Sequence, residues 1–252
     1  MKTITTRRSI RKYADTPVNH DLLSRLLSEA ARTQTMGNLQ LYSVVVTHDD
    51  EMKHRLAPAH FNQPMVTEAP VVLTFCADTR RLTTWAENRQ ATPGYNNFLS
   101  YQNAVTDALL FCQTFCNLAE EEGLGCCFLG TTVYMPQMII DTLHLPQLVM
   151  PVATITLGWP DEQPPLTDRL PIEAFVHTEV YEDYTPERID QLYAHKESLP
   201  ENQKFVRING KQTLAQVFTD CRYTKKDNEA MSATMLATLK KQGFLADGGS
   251  VE

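Results

Sequence analysis

No apolar run in this chain approaches the roughly 18 to 20 residues that a membrane-spanning helix needs. The opening Met1-Lys2-Thr3-Ile4-Thr5-Thr6 also lacks the apolar stretch of a secretory signal. The expectation is a cytoplasmic protein with no membrane partner. A broad basic face is missing as well: the formal net charge is −7, the wrong sign for a protein that coats a nucleic-acid backbone. No nucleic acid is expected, and any anionic ligand must be met by a local cluster. The six cysteines, Cys76, Cys112, Cys116, Cys126, Cys127 and Cys221, form no CxxC pair, are accompanied by no HExxH, and lack the spacing of a small secreted disulfide scaffold. They read as reduced core residues. Cys112 and Cys116, four apart on an expected helix, share a face, so half of a metal site is the rival reading for that pair.

What is present begins near the amino end. Arg7, Arg8, Ser9 and Arg11 stand immediately ahead of Lys12-Tyr13-Ala14-Asp15 and Pro17. A guanidinium is planar, permanently charged and forked, so two or three of them beside a hydroxyl can hold several oxygens of one phosphate. A solvated basic terminus is the other reading, and these residues alone leave both open. With 252 residues and 42% hydrophobic content, the chain can bury a substantial core in one large domain.

Asn19 is a plausible cap for a helix over residues 20–32, where Leu22, Leu23, Leu26, Leu27 and Ala30 recur at helical spacing. Residues 41–47, 71–76 and 152–157 read as strands, and their near-continuous apolar content suggests burial on both faces. The longest helical signal spans residues 101–122. Val105, Ala108, Leu109, Cys112, Phe115, Cys116 and Ala119 form its stripe, widened by Leu110, Phe111 and Leu118. A stripe wider than one sheet face would cover suggests a subunit interface. Gly123-Leu124-Gly125 ends that helix, a short strand over residues 126–129 follows, and Gly130-Thr131-Thr132 leads to a helix over residues 136–143. Gly130 would let a ligand approach the main chain; a simple strand-to-helix turn is the alternative.

Four ordered stretches carry a family resemblance over residues 7–177: Arg7-Arg8-Ser9-Ile10-Arg11, residues 31–40 (ARTQTMGNLQ), Gly123-Leu124-Gly125-Cys126-Cys127-Phe128-Leu129-Gly130, and Leu157-Gly158-Trp159-Pro160 with the later Arg169-Leu170-Pro171. The chain resembles the nitroreductase family, and within it the NAD(P)H-dependent, oxygen-insensitive branch related to flavin reductases. The resemblance implies an α+β fold, a central, mostly antiparallel sheet flanked by helices in a domain-exchanged homodimer that binds FMN between subunits, with NADPH or NADH as co-substrate. It assigns no catalytic side chain, because the chemistry is the flavin's. Arg7, Arg8, Ser9 and Arg11 resemble the segment that holds the flavin phosphate and ribityl chain. Gln34 and Thr35 resemble polar residues that the second subunit supplies, Gln63 a glutamine at the pyrimidine edge, and Phe128, Leu129, Gly130 and Thr131 the loop near ring N5. Arg169 resembles a basic residue on the phosphate side.

Two positions depart from the pattern: Thr131 stands where close relatives often carry glycine, and Thr167 where they often carry a second basic residue. The implied organisation is a core over residues 1–183, a helical excursion over 184–245 packing on the core or on the partner subunit, and a flexible tail over 246–252. Lys204, Arg207, Lys211, Arg222, Lys225 and Lys226 lie where the branch recognises the 2′-phosphate of NADPH, but match no pattern cleanly. The implied activity is ping-pong hydride transfer from NAD(P)H to small-molecule electron acceptors: nitroaromatics, quinones or flavins. A dedicated flavin reductase, a reductive dehalogenase of the same superfamily and a non-enzymatic flavin-binding protein are the rivals.

Overall fold

The computed structural model describes residues 3–245, so the expected tail over 246–252 lies outside the described residues. The chain forms two compact units, one of residues up to Pro165 together with those from Met231 onward, the other Leu166–Ala230.

The first unit is built on four strands, β1 (Tyr42–Thr47), β2 (Val71–Asp78), β3 (Gly125–Leu129) and β4 (Val149–Gly158). They lie in the order β1-β2-β4-β3, and every pairing is antiparallel. The α+β reading with an antiparallel sheet therefore holds. All residues of β2 and β4 are buried, as expected for strands covered on both faces. Residues 149–151 lengthen β4 beyond the expected segment. Pro151 has no N–H to donate and interrupts the sequence signal, but a bulge accommodates it: the register passes from Phe75 opposite Ala153 to Cys76 opposite Pro151.

The helices of this unit are α1 (Thr3–Thr6), α2 (His20–Ala30), α3 (Asp50–Leu56), α4 (Pro64–Glu68), α5 (Arg80–Glu87), α6 (Phe98–Glu121) and α7 (Pro136–Leu143). Asn19 caps α2 by accepting from Asp21 N and Leu22 N. Asn97 starts α6 earlier than expected by accepting from Ser100 N at 2.9 Å, and Gly123 ends it at φ +86°.

Alternation along the strands sorts the core into two layers. Val71, Leu73, Phe75, Ala153, Ile155 and Leu157 face Leu23 and Leu26 of α2 and Phe111 and Phe115 of α6. On the other face, Val72, Cys127 and Leu129 meet Leu56, Ala59, Met65, Val66 and Ile139. Of the expected α6 stripe, Val105 is half-buried, and Leu109 and Leu110 are 39% and 41% exposed.

In the second unit α8 (Pro186–Ser198), α9 (Pro200–Ile208) and α10 (Leu214–Gln216) are followed by a π-helical turn, Val217–Arg222. Thr213 and Gln216 cap each other reciprocally at the start of α10. The last helix, α11 (Lys225–Lys241), begins in this unit and ends in the first. Among the described residues no helix is long and apolar enough to cross a membrane.

Candidate functional site

Three segments meet at strand β3, two of them remote from it in sequence. The first lies alongside it: Ser9 bridges Cys126 in parallel, and Ile10 N donates to Cys126 O at 3.1 Å. Glycine at position 125 makes this possible, because a Cβ there would sit 2.6 Å from Ile10 Cγ1. Tyr13 then pins the segment. Its hydroxyl lies 2.7 Å from Ile10 O and 2.6 Å from Thr156 Oγ1, so it donates to the carbonyl and accepts from the threonine. Burial pushes this phenol far up, against the opposing Thr156 bond, and it stays neutral.

The arginines of the first segment are not equivalent. Arg7 Nε is 3.1 Å from Glu120 Oε1, and burial pushes the Glu120 carboxyl up while Arg7 opposes the rise. Arg8 Nη1 donates to Thr6 O at 2.9 Å, whereas Arg8 Nε is buried without a hydrogen-bond partner among the described residues. Arg11 N and Lys12 N both donate to Glu162 Oε1, at 2.5 and 3.1 Å. No ion pair among the described residues engages the Arg11 guanidinium, whose charge offsets part of the upward push that burial gives the Cys127 thiol of β3. Arg7, Arg8, Glu120 and Glu162 line a cavity of about 340 Å³. The arginine cluster is thus real but partly neutralised at Arg7.

The second segment is the exit of β3. Phe128 is 52% exposed, Leu129 is buried, and Thr132 Oγ1 closes the turn onto Leu129 O at 2.9 Å. A Cβ on Gly130 would meet nothing within 4 Å, so no internal contact requires glycine there.

The third segment meets this exit. His60 Nδ1 lies 2.8 Å from Thr131 Oγ1. The His60 carbonyl accepts from Gln63 Nε2 at 3.1 Å and from Gln63 N at 3.2 Å. Between them Phe61 and Asn62 are both left-handed, at φ 55° and 52°. Two consecutive non-glycine residues in that region cost about 1–3 kcal/mol each, a burden typical of segments shaped for a ligand. Burial alone lowers the His60 pKa to about 4, so the imidazole is neutral at physiological pH.

Gln34 and Thr35 are not part of this gathering within one chain. Gln34 is exposed. The Thr35 hydroxyl donates to Asp107 Oδ2 at 2.5 Å and accepts from Gln40 N at 2.9 Å. Arg169 belongs to the second unit, where its Nη1 donates to Thr167 Oγ1 at 2.7 Å and to Asp168 O at 2.8 Å. The unexpected threonine at 167 is therefore a partner of Arg169 itself.

Sequence reading missed His60, Tyr13, Asp107, Glu120 and Glu162. Only Asp107 left a signal, as a carboxylate set into the apolar stripe of α6. Cys112, Cys116 and Cys126 pack in the core between α6 and the sheet, and among the described residues no group of His, Cys, Asp and Glu is arranged to hold a metal ion.

Residues 4–159 match the model of the nitroreductase family. A Bacillus subtilis (strain 168) protein named FMN reductase (NAD(P)H) is 31% identical, with 84% of this chain and 86% of that protein covered. The oxygen-insensitive NADPH nitroreductase of Salmonella typhimurium (strain LT2) is 29% identical, with 94% of each chain covered. A crystal structure of a Bacteroides fragilis NCTC 9343 protein superposes with a TM-score of 0.96 at 60% identity, over 98% of this chain and 100% of that one. With a family model matched over more than half of its length and a relative 31% identical, the chain belongs to the nitroreductase family.

Proposed function

We propose that the chain is an NAD(P)H-dependent oxidoreductase that holds FMN and passes a hydride to nitroaromatic, quinone or flavin acceptors. The observation that carries this reading is the convergence on β3 of the 9–11, 60–63 and 128–131 segments. The names of the Bacillus and Salmonella relatives, an FMN reductase and an NADPH nitroreductase, support it.

The residues fit the cofactor. Arg8 Nε is a buried donor without a partner among the described residues, and the Arg11 guanidinium stands outside the described ion pairs. These two, with Ser9, have capacity for a phosphate; Arg7 joins them only by sharing its charge with Glu120. Exposed Phe128 and Gly130 offer an apolar surface and an unshielded main chain to a flat ring, and Gln63 and Thr131 supply polar groups at its edge. When bound, FMN supplies the two-electron hydride chemistry between nicotinamide and acceptor. The chain's own part is orientation, exclusion of water, and donors for the negative charge that reduction adds.

The working form is a homodimer in which α6 contributes to the interface. Leu109 and Leu110, together with Leu99 at 70% exposure, form the apolar surface for it. Gln34 and Thr35 then reach the site from the second subunit, and Arg169 is the cation that the family resemblance assigns to the phosphate. Residues 1–183 act as the flavin core and 184–245 as the excursion, with Lys204, Arg207 and Lys226 as cations for a nicotinamide 2′-phosphate. Cys76, Cys112, Cys116, Cys126 and Cys127 are buried and free of disulfides, in agreement with a cytoplasmic location, whereas Cys221, against expectation, is exposed and not a core residue.

Steady-state oxidation of NADH and NADPH with nitrofurazone, a quinone and free FMN as acceptors tests the reading. Turnover with all three is expected. Turnover with none contradicts the enzymatic assignment, and turnover with free flavin alone makes the protein a dedicated flavin reductase.

A further inference from the structure

His60 lies at the junction of the 60–63 and 128–131 segments, and its chemistry is more constrained than that of its neighbours. The residue is fully buried and neutral, its Nδ1 touches Thr131 Oγ1, and its Nε2 has no partner among the described residues. A neutral imidazole carries one proton, which leaves two arrangements. With the proton on Nε2, the ring would bury an N–H donor with nothing to receive it. With the proton on Nδ1, the unpartnered atom is a lone pair. Orphaned buried N–H groups are rarer than under-used acceptors, so the Nδ1–H form is favoured and His60 donates to Thr131.

The consequence falls on Thr131. Its oxygen is occupied as an acceptor from His60, so its own O–H is directed away from the imidazole and remains available as a donor. Thr131 is half-exposed at the exit of β3. We propose that His60 is a positioning residue that fixes the Thr131 hydroxyl as a hydrogen-bond donor toward the bound flavin, while its carbonyl orients Gln63 at the other side of the same site. This rests on the flavin-binding reading above. It gives a role to the Thr131 side chain: a donor preset by a buried ring is added to the main-chain ones at the exit of β3. A donor aimed at the ring stabilises the reduced state, which carries more negative charge, more than the oxidised state.

Two measurements test this. In the flavin-free protein, nitrogen-15 chemical shifts of the His60 ring should show Nδ1 protonated and Nε2 bare; the opposite tautomer overturns the proposal whether or not flavin binds. In the loaded protein, the midpoint potential of the flavin is read in Thr131→Val, Thr131→Ser, His60→Leu, His60→Asn and the Thr131→Val/His60→Leu double variant. Valine removes the hydroxyl and leucine removes the group that orients it. Each is expected to keep the flavin and to lower its reduction equilibrium about tenfold, which for a two-electron couple is about 30 mV toward negative potential. Serine retains the hydroxyl and asparagine keeps a donor near Nδ1, so both should remain near the parent value. The double variant should shift no further than either single one, because the two residues act as one unit. An unchanged potential in Thr131→Val, or additive shifts in the double variant, overturns the inference while leaving the flavin-binding reading intact. Failure of the parent protein to bind flavin overturns that reading first. Because Thr131 is half-exposed, its variants decide the matter even if His60→Leu does not fold.

Discussion

The hydroxyl of Thr35 donates to the carboxylate of Asp107 at 2.5 Å, across 72 residues of chain. Met36 N at 2.9 Å and Leu41 N at 3.1 Å donate to the same carboxylate, so one buried side chain of α6 organises the whole turn that leads into β1. Asp107→Asn leaves a single acceptor oxygen and points an amide at one of these donors. Hydrogen bonds to a charged group are strong and a stranded buried donor is costly, so the variant should lose about 2–4 kcal/mol in equilibrium denaturation. The amides of Met36 and Leu41 should exchange faster with solvent. Unchanged stability would mean that the turn is held by something else.

Arg7 and Arg11 should separate in their effect on flavin retention. Arg7 already spends its charge on Glu120, whereas the Arg11 guanidinium has no carboxylate partner among the described residues. Arg11→Ala is expected to weaken FMN binding at least tenfold, about 1.4 kcal/mol, and to lose the flavin on dilution while the oligomeric state is kept. Arg8→Ala should do the same, and Arg7→Ala should do less. Equilibrium dialysis with FMN checks the order; full flavin occupancy in both Arg8→Ala and Arg11→Ala would contradict the phosphate assignment.

Gly125→Ala tests how the 9–11 segment is held. The new methyl would lie 2.6 Å from Ile10 Cγ1 and 2.7 Å from Ile10 Cβ, so either β3 or the Arg8–Arg11 stretch must move. Overpacking of this kind costs about 1–3 kcal/mol, and FMN affinity should fall with stability. Gly130→Ala, where a Cβ meets nothing within 4 Å, should leave stability unchanged and affect only flavin binding. A stability loss at Gly130 equal to that at Gly125 would contradict this division.

His60 also gives stability a pH dependence with a definite sign. Burial holds its folded pKa near 4, below the unfolded value of about 6.5, so between these values the unfolded chain binds a proton that the folded chain refuses. The contribution is fully present above pH 6.5 and declines as pH falls toward 4, by about 3 kcal/mol in all. Carboxylates titrate in part of the same window, so the readout is the difference between the parent protein and His60→Asn. The parent should lose more stability between pH 6.5 and 4.5; parallel curves would show that His60 protonates freely in the folded state.

The elements were legible wherever periodicity and caps agree. Asn19, Gly123 and Pro136 mark helix ends in sequence and in structure, and α7 spans the expected residues. Pro151 hid the first residues of β4 because a central strand tolerates proline only at a bulge, and a bulge belongs to the pairing of two strands, not to one segment. The same holds for the site. Arg8, Ser9, Arg11 and the 128–131 turn were visible because their residue types suit their chemistry, yet nothing local distinguishes His60 from a surface histidine or shows that Glu120 lies beside Arg7. Those relationships exist only after the sheet has brought α6, the 60–63 turn and β3 together. Nor does anything local show that the Thr35 hydroxyl meets the Asp107 carboxylate and Gln40 N within its own chain.

The most direct test is the visible absorption of the purified protein after incubation with excess FMN and gel filtration, followed by anaerobic addition of NADH or NADPH. One flavin retained per chain, bleached by a stoichiometric amount of at least one nicotinamide, is the expected result. A colourless protein that does not retain FMN would contradict the assignment of the β3 site.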